Sequence, residues 1–463
     1  MVKAIVGAGG KTSLIKKLAK EYCEQGKKVF VCTTTNMYKE ADSMVNAAAD
    51  EIIARLNEQG YAMAGSDKGE KISILPAELY EAVCAHADVV LVEADGSKHR
   101  AIKFPAEHEP VIPDNADEII VVCGLHALEK PLAEAAHRTE LVKACLKAED
   151  DTIITPEHIQ KLLTKGYMEP LRQRYPQKKV SIYASHDGSL YQRALAALLE
   201  AEMDVSLIEK EWFAPQPRLF ICGGGHVSQA LAQMAHCLDF STVVMDDREE
   251  FVQREHFPTV EQLICDSYEN LGNHLKKGDY CVVVTRGHQG DLICVEQILR
   301  TGYGYLGMIG SKKKVATAFE LLRQDGFSEA EIADIHAPIG LNIGAVTPAE
   351  IAVSILAEII QIKNQKHHSS ASKELLSRTE AGMLCIIIEK TGSSPRGVGS
   401  MMFVTENKTV DSIGGGAVEF AAIEAARQNR EAAIRSYNLN KKEENALDMV
   451  CGGSNRVLFL PLR

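Results

Sequence analysis

Apolar residues in this chain fall into short unbroken runs, each ending in glycine or polar residues and most followed by helical spacing. Val2–Val6 runs into the glycine loop Gly7–Ser13, and a helical pattern covers Leu14–Gln25. Lys28–Cys32 ends in Thr33-Thr34-Thr35-Asn36, and Asp88–Val92 ends in Glu93-Ala94-Asp95. A helix-like stretch, Leu190–Glu202, and a short strand near Val205–Ile208 close this first region. The alternation restarts at Leu219–Cys222, which enters a triple glycine and the helix Val227–Leu238, followed by strands Thr242–Met245, Tyr280–Thr285 and Tyr305–Ile309. Thr347, Pro348 and Glu350 form a capping box with proline at the first helical position, opening a long helix. Runs buried on both faces and alternating with helices predict parallel, doubly wound sheets. Beyond the polar stretch Gln365–Lys373, strands Met383–Glu389, Ser400–Thr405 and Arg456–Leu460 surround the loop Thr391–Gly399 and a triple-glycine turn into the helix Ala417–Gln428. The expected fold class is α/β: a P-loop-like domain (1–210), a Rossmann-type domain (216–364) and a small α+β glycine-rich domain (376–463), with Pro215 and Pro217 at the first boundary.

Composition narrows the partners. A net charge of −12 argues against a nucleic-acid groove or an anionic membrane as main partner. No run of about 18 apolar residues is present, so no membrane span is expected. The twelve cysteines are scattered without a C-x-x-C pair, which reads as a reduced, cytoplasmic protein. The start of the chain lacks the uninterrupted apolar core of a signal peptide.

Strand, glycine loop, Lys-Thr, helix is the layout of a phosphate-binding loop. Gly9, Gly10, Lys11, Thr12 and Ser13 would cradle the phosphates of ATP or GTP, with Thr35 and Asp95 on neighbouring strand ends and Mg²⁺ between Thr12 and Asp95. The loop is short: Ile5 stands where the full pattern has its first glycine. Asp95-Gly96-Ser97 also fits a plain turn, and the basic cluster Lys98-His99-Arg100 fits either an anionic ligand or a solvated loop. In the second region, Gly223, Gly225 and His226 form the turn G-x-G-x-x-S, and Asp246 sits where a dinucleotide's ribose hydroxyls are held. That spacing keeps NAD(P) open as a cofactor and an NAD(P)-dependent oxidoreductase open as an alternative function. Arg286, His288, Ser311 and Lys312 lie at strand ends with charge suited to a phosphate. In the third region, Ser393, Ser394, Arg396 and Gly415 offer donors or close backbone approach to an anion, and Cys451 stands beside two glycines.

Two resemblances join these parts. GAGGKTS, TTTNMY, LVEADGSKHRAIKFPAEHEPVIP and His137-Arg138 resemble the YqeC family, accessory proteins of selenium-dependent molybdenum hydroxylases, over about residues 1–205. FICGGGHVSQALAQMA, VVMDDREEF, VTRGHQGD, YLGMIGSKKKV and HAPIGLNIGAVTPAEIAVSILAEII resemble the Rossmann half of the XdhC/CoxI family, the xanthine dehydrogenase accessory factors. TGSSPRGVGSMMFV, IGGGAVE and MVCGG resemble that family's small domain, which here follows the Rossmann domain instead of preceding it; Ser454-Asn455-Arg456 departs from the apolar or acidic run expected there. The resemblance implies binding of the molybdenum cofactor, its sulfuration or selenation, and insertion into a molybdenum hydroxylase apoenzyme. It makes Cys451 the candidate molybdenum ligand or sulfur carrier and implies a sulfur or selenium donor, such as a cysteine desulfurase, as second partner. About ten linker residues span about 16–19 Å, which fits docking of the small domain within one chain or across a homodimer. A nucleotide hydrolase driving cofactor delivery is the remaining alternative.

Overall fold

Six strands pair edge to edge in one parallel arrangement. Across the N-terminal sheet the order is Lys179–Ser185, Glu118–Gly124, Val2–Gly7, Val89–Glu93, Val29–Thr33 and Tyr61–Lys68, all parallel. The sheet continues antiparallel through Lys71–Ser73 to Asn36–Tyr38. Val2–Gly7 and Val89–Glu93 are direct neighbours, so the glycine loop and the acidic strand end emerge side by side. Helix Lys11–Glu24 covers the sheet with Leu14, Ile15 and Ala19 buried.

The computed structural model describes residues 1–366, 371–392, 396–438 and 453–463. It comprises two units: Met1–Glu209 with Ser377–Val398 and Met402–Arg463, and Lys210–Leu376 with Gly399–Met401. In the second unit a parallel five-stranded sheet runs in the order Gln262–Cys265, Ser241–Asp246, Arg218–Cys222, Tyr280–Val283 and Tyr305–Met308. Its first strand in the chain, Arg218–Cys222, lies at the switch point of the winding, where ligands of such sheets gather. Helix His226–His236 follows the glycine turn, and helix Pro348–Lys366 begins with the capping box: Thr347 Oγ1 accepts from Glu350 N at 3.3 Å and Glu350 Oε2 accepts from Thr347 N at 2.9 Å.

The third sheet runs Thr409–Asp411, Met401–Val404, Gly382–Gly392, Gly453–Leu462 and Ala433–Asn438. Buried Arg193, on helix Leu190–Glu200, donates to the carbonyls of Arg378 (2.8 Å), Glu380 (2.7 Å) and Arg463 (3.1 Å). Within the first unit it thus binds the N-terminal domain to both ends of the C-terminal segment. Two details differ from the sequence reading. Val205–Leu207 is a single 3₁₀ turn capped by Asp204, not a strand. The strands Tyr61–Lys68, Glu118–Gly124 and Lys179–Ser185 belong to the sheet although the pattern does not single them out. Among the described residues, no helix is long and apolar enough to cross a membrane.

Candidate functional site

The edge of the N-terminal sheet opens into a cleft of about 960 Å³, lined among others by Gly9, Gly10, Lys11, Thr12, Ser13 and Thr35. Gly9 has φ +76°, and a Cβ there would meet Ala101 O at 2.4 Å, so only glycine lets the loop pass this close to its neighbour. No side chain caps helix Lys11–Glu24, and its first turn holds no acidic residue. The first-turn amides of a helix have no partner within it and form a ready seat for phosphate.

Lys11 is buried, with Nζ 2.7 Å from Gly7 O, 3.1 Å from Ser97 Oγ and 3.2 Å from Asp95 Oδ1. Asp95 is fully buried and sits beneath the loop. It accepts from Gly7 N at 3.0 Å and Tyr167 OH at 3.1 Å and pairs with Lys103 at 3.1 Å. The carboxylate beside Thr12 is Glu93, whose Oε2 lies 3.4 Å from Thr12 Oγ1. This corrects the expected pairing of Thr12 with Asp95: Asp95 is committed to positioning the loop, and Glu93 lines the cleft. Burial raises the Glu93 carboxyl above its ordinary range, more than nearby Lys11 lowers it. A hydroxyl and a carboxylate oxygen form a hard donor pair that fits Mg²⁺ carrying nucleotide phosphates.

From Asp95 the charges continue as a ladder. Lys103 Nζ pairs with Glu109 Oε2 at 2.9 Å, and Glu109 Oε1 with the Arg138 guanidinium at 2.8 Å. Burial alone would raise Glu109, but hydrogen bonds from Lys103 and Arg138 outweigh it and hold the carboxyl down to about 2. His137, paired in register with Lys103, is pushed below the ordinary imidazole value by burial and then by Lys103, Arg138 and Lys98.

In the second unit the glycine turn packs closely against its own chain at Gly223 and Gly224, while Gly225 faces open space. Gly223 has φ +112°, and a Cβ there would meet Val284 O at 2.5 Å. Fully buried Asp246 accepts from Gly224 N at 2.8 Å and from Arg248 N and Nε at 3.1 and 2.9 Å; Arg248 lies 3.7 Å over the Phe251 ring. Burial would raise this carboxyl, but Arg248 and the Gly224 amide hold it below its usual value. Both oxygens are thereby engaged, so Asp246 is a strut between the strand end and the glycine turn. It does not fit the ribose clasp expected from its spacing, and the dinucleotide reading loses the residue that carried it.

Three family models match successive stretches of the chain: the YqeC protein over residues 3–140, the XdhC Rossmann domain over 219–359, and the XdhC and CoxI family over 375–438. The chain joins a YqeC domain to both domains of the XdhC family. Escherichia coli (strain K12) YqeB is 38% identical over 32% of this chain and 28% of its own length. A probable xanthine dehydrogenase subunit of Bacillus subtilis (strain 168) is 31% identical over 33% of this chain and 44% of its own length. E. coli YqeC is 34% identical over 30% of this chain and 57% of its own length. Each match covers less than two thirds of the relative. A crystal structure of a xanthine dehydrogenase from Bacillus halodurans is 29% identical over 34% of this chain and 46% of that chain, with a TM-score of 0.31.

Within the XdhC Rossmann domain, His288 and Ser311 line a common cleft of about 430 Å³ with Lys313 and Lys314. Ser311 caps the helix Lys312–Gln324, accepting from Lys314 N at 3.3 Å. Lys314 pairs with buried Asp291, which also accepts from Thr285 Oγ1 at 2.6 Å. Arg286, Lys312 and His226 are exposed and outside that lining, and Gly225 is the residue before helix His226–His236.

In the XdhC/CoxI domain, Glu419 fills the glycine turn from within, accepting from Ile413 N and Gly415 N at 3.0 Å each. Gly415, expected to meet an anion, already gives its N–H to a carboxylate of the chain. Arg396 is exposed. Ser393, Ser394 and Cys451 lie outside the described residues. Buried Cys123 and Cys385 carry thiols raised by burial, which disfavours the thiolate.

Sequence reasoning missed Glu93, Lys103, Glu109 and Tyr167 as parts of the first site. Glu93 was visible at its strand end and Lys103 and Glu109 lie within the stretch LVEADGSKHRAIKFPAEHEPVIP, but their place in the site, like that of Tyr167, is brought in only by the fold.

Proposed function

We propose that this chain is an accessory factor for a molybdenum hydroxylase of the xanthine dehydrogenase type. In this reading the YqeC domain binds a nucleoside triphosphate with Mg²⁺, and the two XdhC domains hold the molybdenum cofactor as cargo while its terminal sulfur or selenium is installed and the cofactor passes to the apoenzyme. The observation that carries the reading is the succession of YqeC, XdhC Rossmann and XdhC/CoxI matches along one chain. The loop Gly7–Ser13 supports the nucleotide part: Lys11 and the uncapped first turn border the same cleft as Thr12 and Glu93. Lys11 and the first-turn amides hold the phosphates, Thr12 and Glu93 hold the metal, and Asp95 positions Lys11 from below. A bound Mg²⁺ would offset the phosphate charge.

Mass spectrometry of small molecules that co-purify with the full chain, together with pterin fluorescence after oxidation, tests the cargo. The expected result is a pterin present with wild-type protein and diminished in Cys451→Ser. Protein that carries no pterin and binds no added cofactor overturns the reading. The oxidoreductase reading predicts substrate-dependent NADH formation, and with Asp246 turned inward no such activity is expected.

A further inference from the structure

The YqeC cleft has more cationic wall than one nucleotide uses. A nucleotide seated as proposed above engages the first turn of helix Lys11–Glu24 and Lys11 itself. Lys98, Arg100 and Arg138 line the same cleft from other segments. Together with Lys11 and Lys71 they oppose only Glu93 and Glu109 among the acidic lining residues, in a chain whose net charge is −12. A positive cleft in an acidic protein concentrates anions.

Arg138 stands out among them. One guanidinium nitrogen is fixed by Glu109, itself fixed by Lys103, while the buried Nε–H has no acceptor among the described residues. Buried donors are nearly always paired in native proteins, by the chain, by water or by a ligand. Arg138, Lys98 and His99 also adopt left-handed backbone, with φ +60°, +47° and +60°. Non-glycine residues held there gather at functional sites. Asn36, on the same lining, has a buried side-chain oxygen without a partner among the described residues.

We propose that Arg138, with Lys98 and Arg100, binds a second ligand in this cleft, a phosphate monoester, beside the nucleotide. The proposal rests on the nucleotide reading of the same cleft. Three cations suit a dianion, and a planar guanidinium matches phosphate oxygens in a fork that a lysine cannot offer. The ladder through Glu109 and Lys103 holds Arg138 in place before the ligand arrives, which lowers the ordering cost of binding. The YqeC domain is then a two-ligand site.

Calorimetric titration of inorganic phosphate into the full chain, saturated with the Mg²⁺ complex of a β,γ-imido analogue of ATP or GTP, tests this. Phosphate is expected to bind one-to-one, at least tenfold more weakly in Arg138→Gln and about threefold more weakly in Lys98→Ala, with analogue affinity shifting less than threefold. Lys98 is exposed, so its variant keeps the test valid where Arg138→Gln does not fold. Absence of phosphate binding to the saturated protein, or equal binding by wild type and both variants, overturns the proposal. If neither analogue binds, the nucleotide reading fails and phosphate is titrated into the free protein. Binding lost in Arg138→Gln then supports the second site, and binding kept there but lost in Lys11→Ala overturns it.

Discussion

Lys11 lies among oxygens of its own chain, and this shapes what its replacement does. Asp95 retains Lys103, Gly7 N and Tyr167 when Lys11 is removed, so Lys11→Ala is expected to fold. Equilibrium binding should show its nucleotide affinity reduced at least tenfold. Glu93→Gln should instead weaken the Mg²⁺ dependence of binding. Which of the two carboxylates lines the cleft beside Thr12 was not legible in the sequence. Glu93 and Asp95 are two residues apart at one strand end and satisfy the same spacing; what separates them is Lys103 and Tyr167, distant in sequence, which close over Asp95. Asp246 teaches the same lesson, because the spacing that marks a ribose carboxylate does not reveal that Arg248 and Gly224 already hold it. Glu109 gives a pH signature. Its carboxyl is held down to about 2, so its contribution to stability is complete above the unfolded value of about 4.3 and is lost as pH falls toward 2. Acid titration of Glu109→Gln should show a shallower loss of stability over that window.

The elements that carry the site were largely legible. A buried run ending in glycine predicts the strand and turn at Val2–Gly7 and at Arg218–Cys222, and Thr347-Pro348 with Glu350 predicts the helix start that the structure places at Pro348. The missed strands have physical reasons. Lys179–Ser185 is an edge strand with mixed burial, and Tyr61–Lys68 ends in exposed polar residues. Glu118–Gly124 is buried throughout, and periodicity cannot tell such a run from a buried helix. Two changes test the element-level account by thermal or chemical unfolding. Gly9→Ala puts a Cβ against backbone at Ala101 and Gly124 in a left-handed conformation, and a loss of about 1–3 kcal/mol is expected. Thr347→Ala removes a cap and should cost about 1 kcal/mol.

At the scale of the whole molecule, Arg193 joins the N-terminal region to the C-terminal segment that the same unit includes. No pattern announces this, since an arginine in an amphipathic helix reads as surface. Arg193→Ala leaves the carbonyls of Arg378, Glu380 and Arg463 without their charged donor. Hydrogen exchange should then rise in strands Gly382–Gly392 and Gly453–Leu462 while Val2–Gly7 stays protected. The central claim, that the chain matures a molybdenum hydroxylase, is tested most directly by purifying the client enzyme from cells with and without this chain and measuring its cyanide-labile sulfur or selenium per molybdenum. The account predicts a client that lacks the labile chalcogen and hydroxylase activity when the chain is missing, restored by the wild type and not by Lys11→Ala. A fully active client with a complete complement of labile sulfur or selenium in the absence of this chain would contradict it.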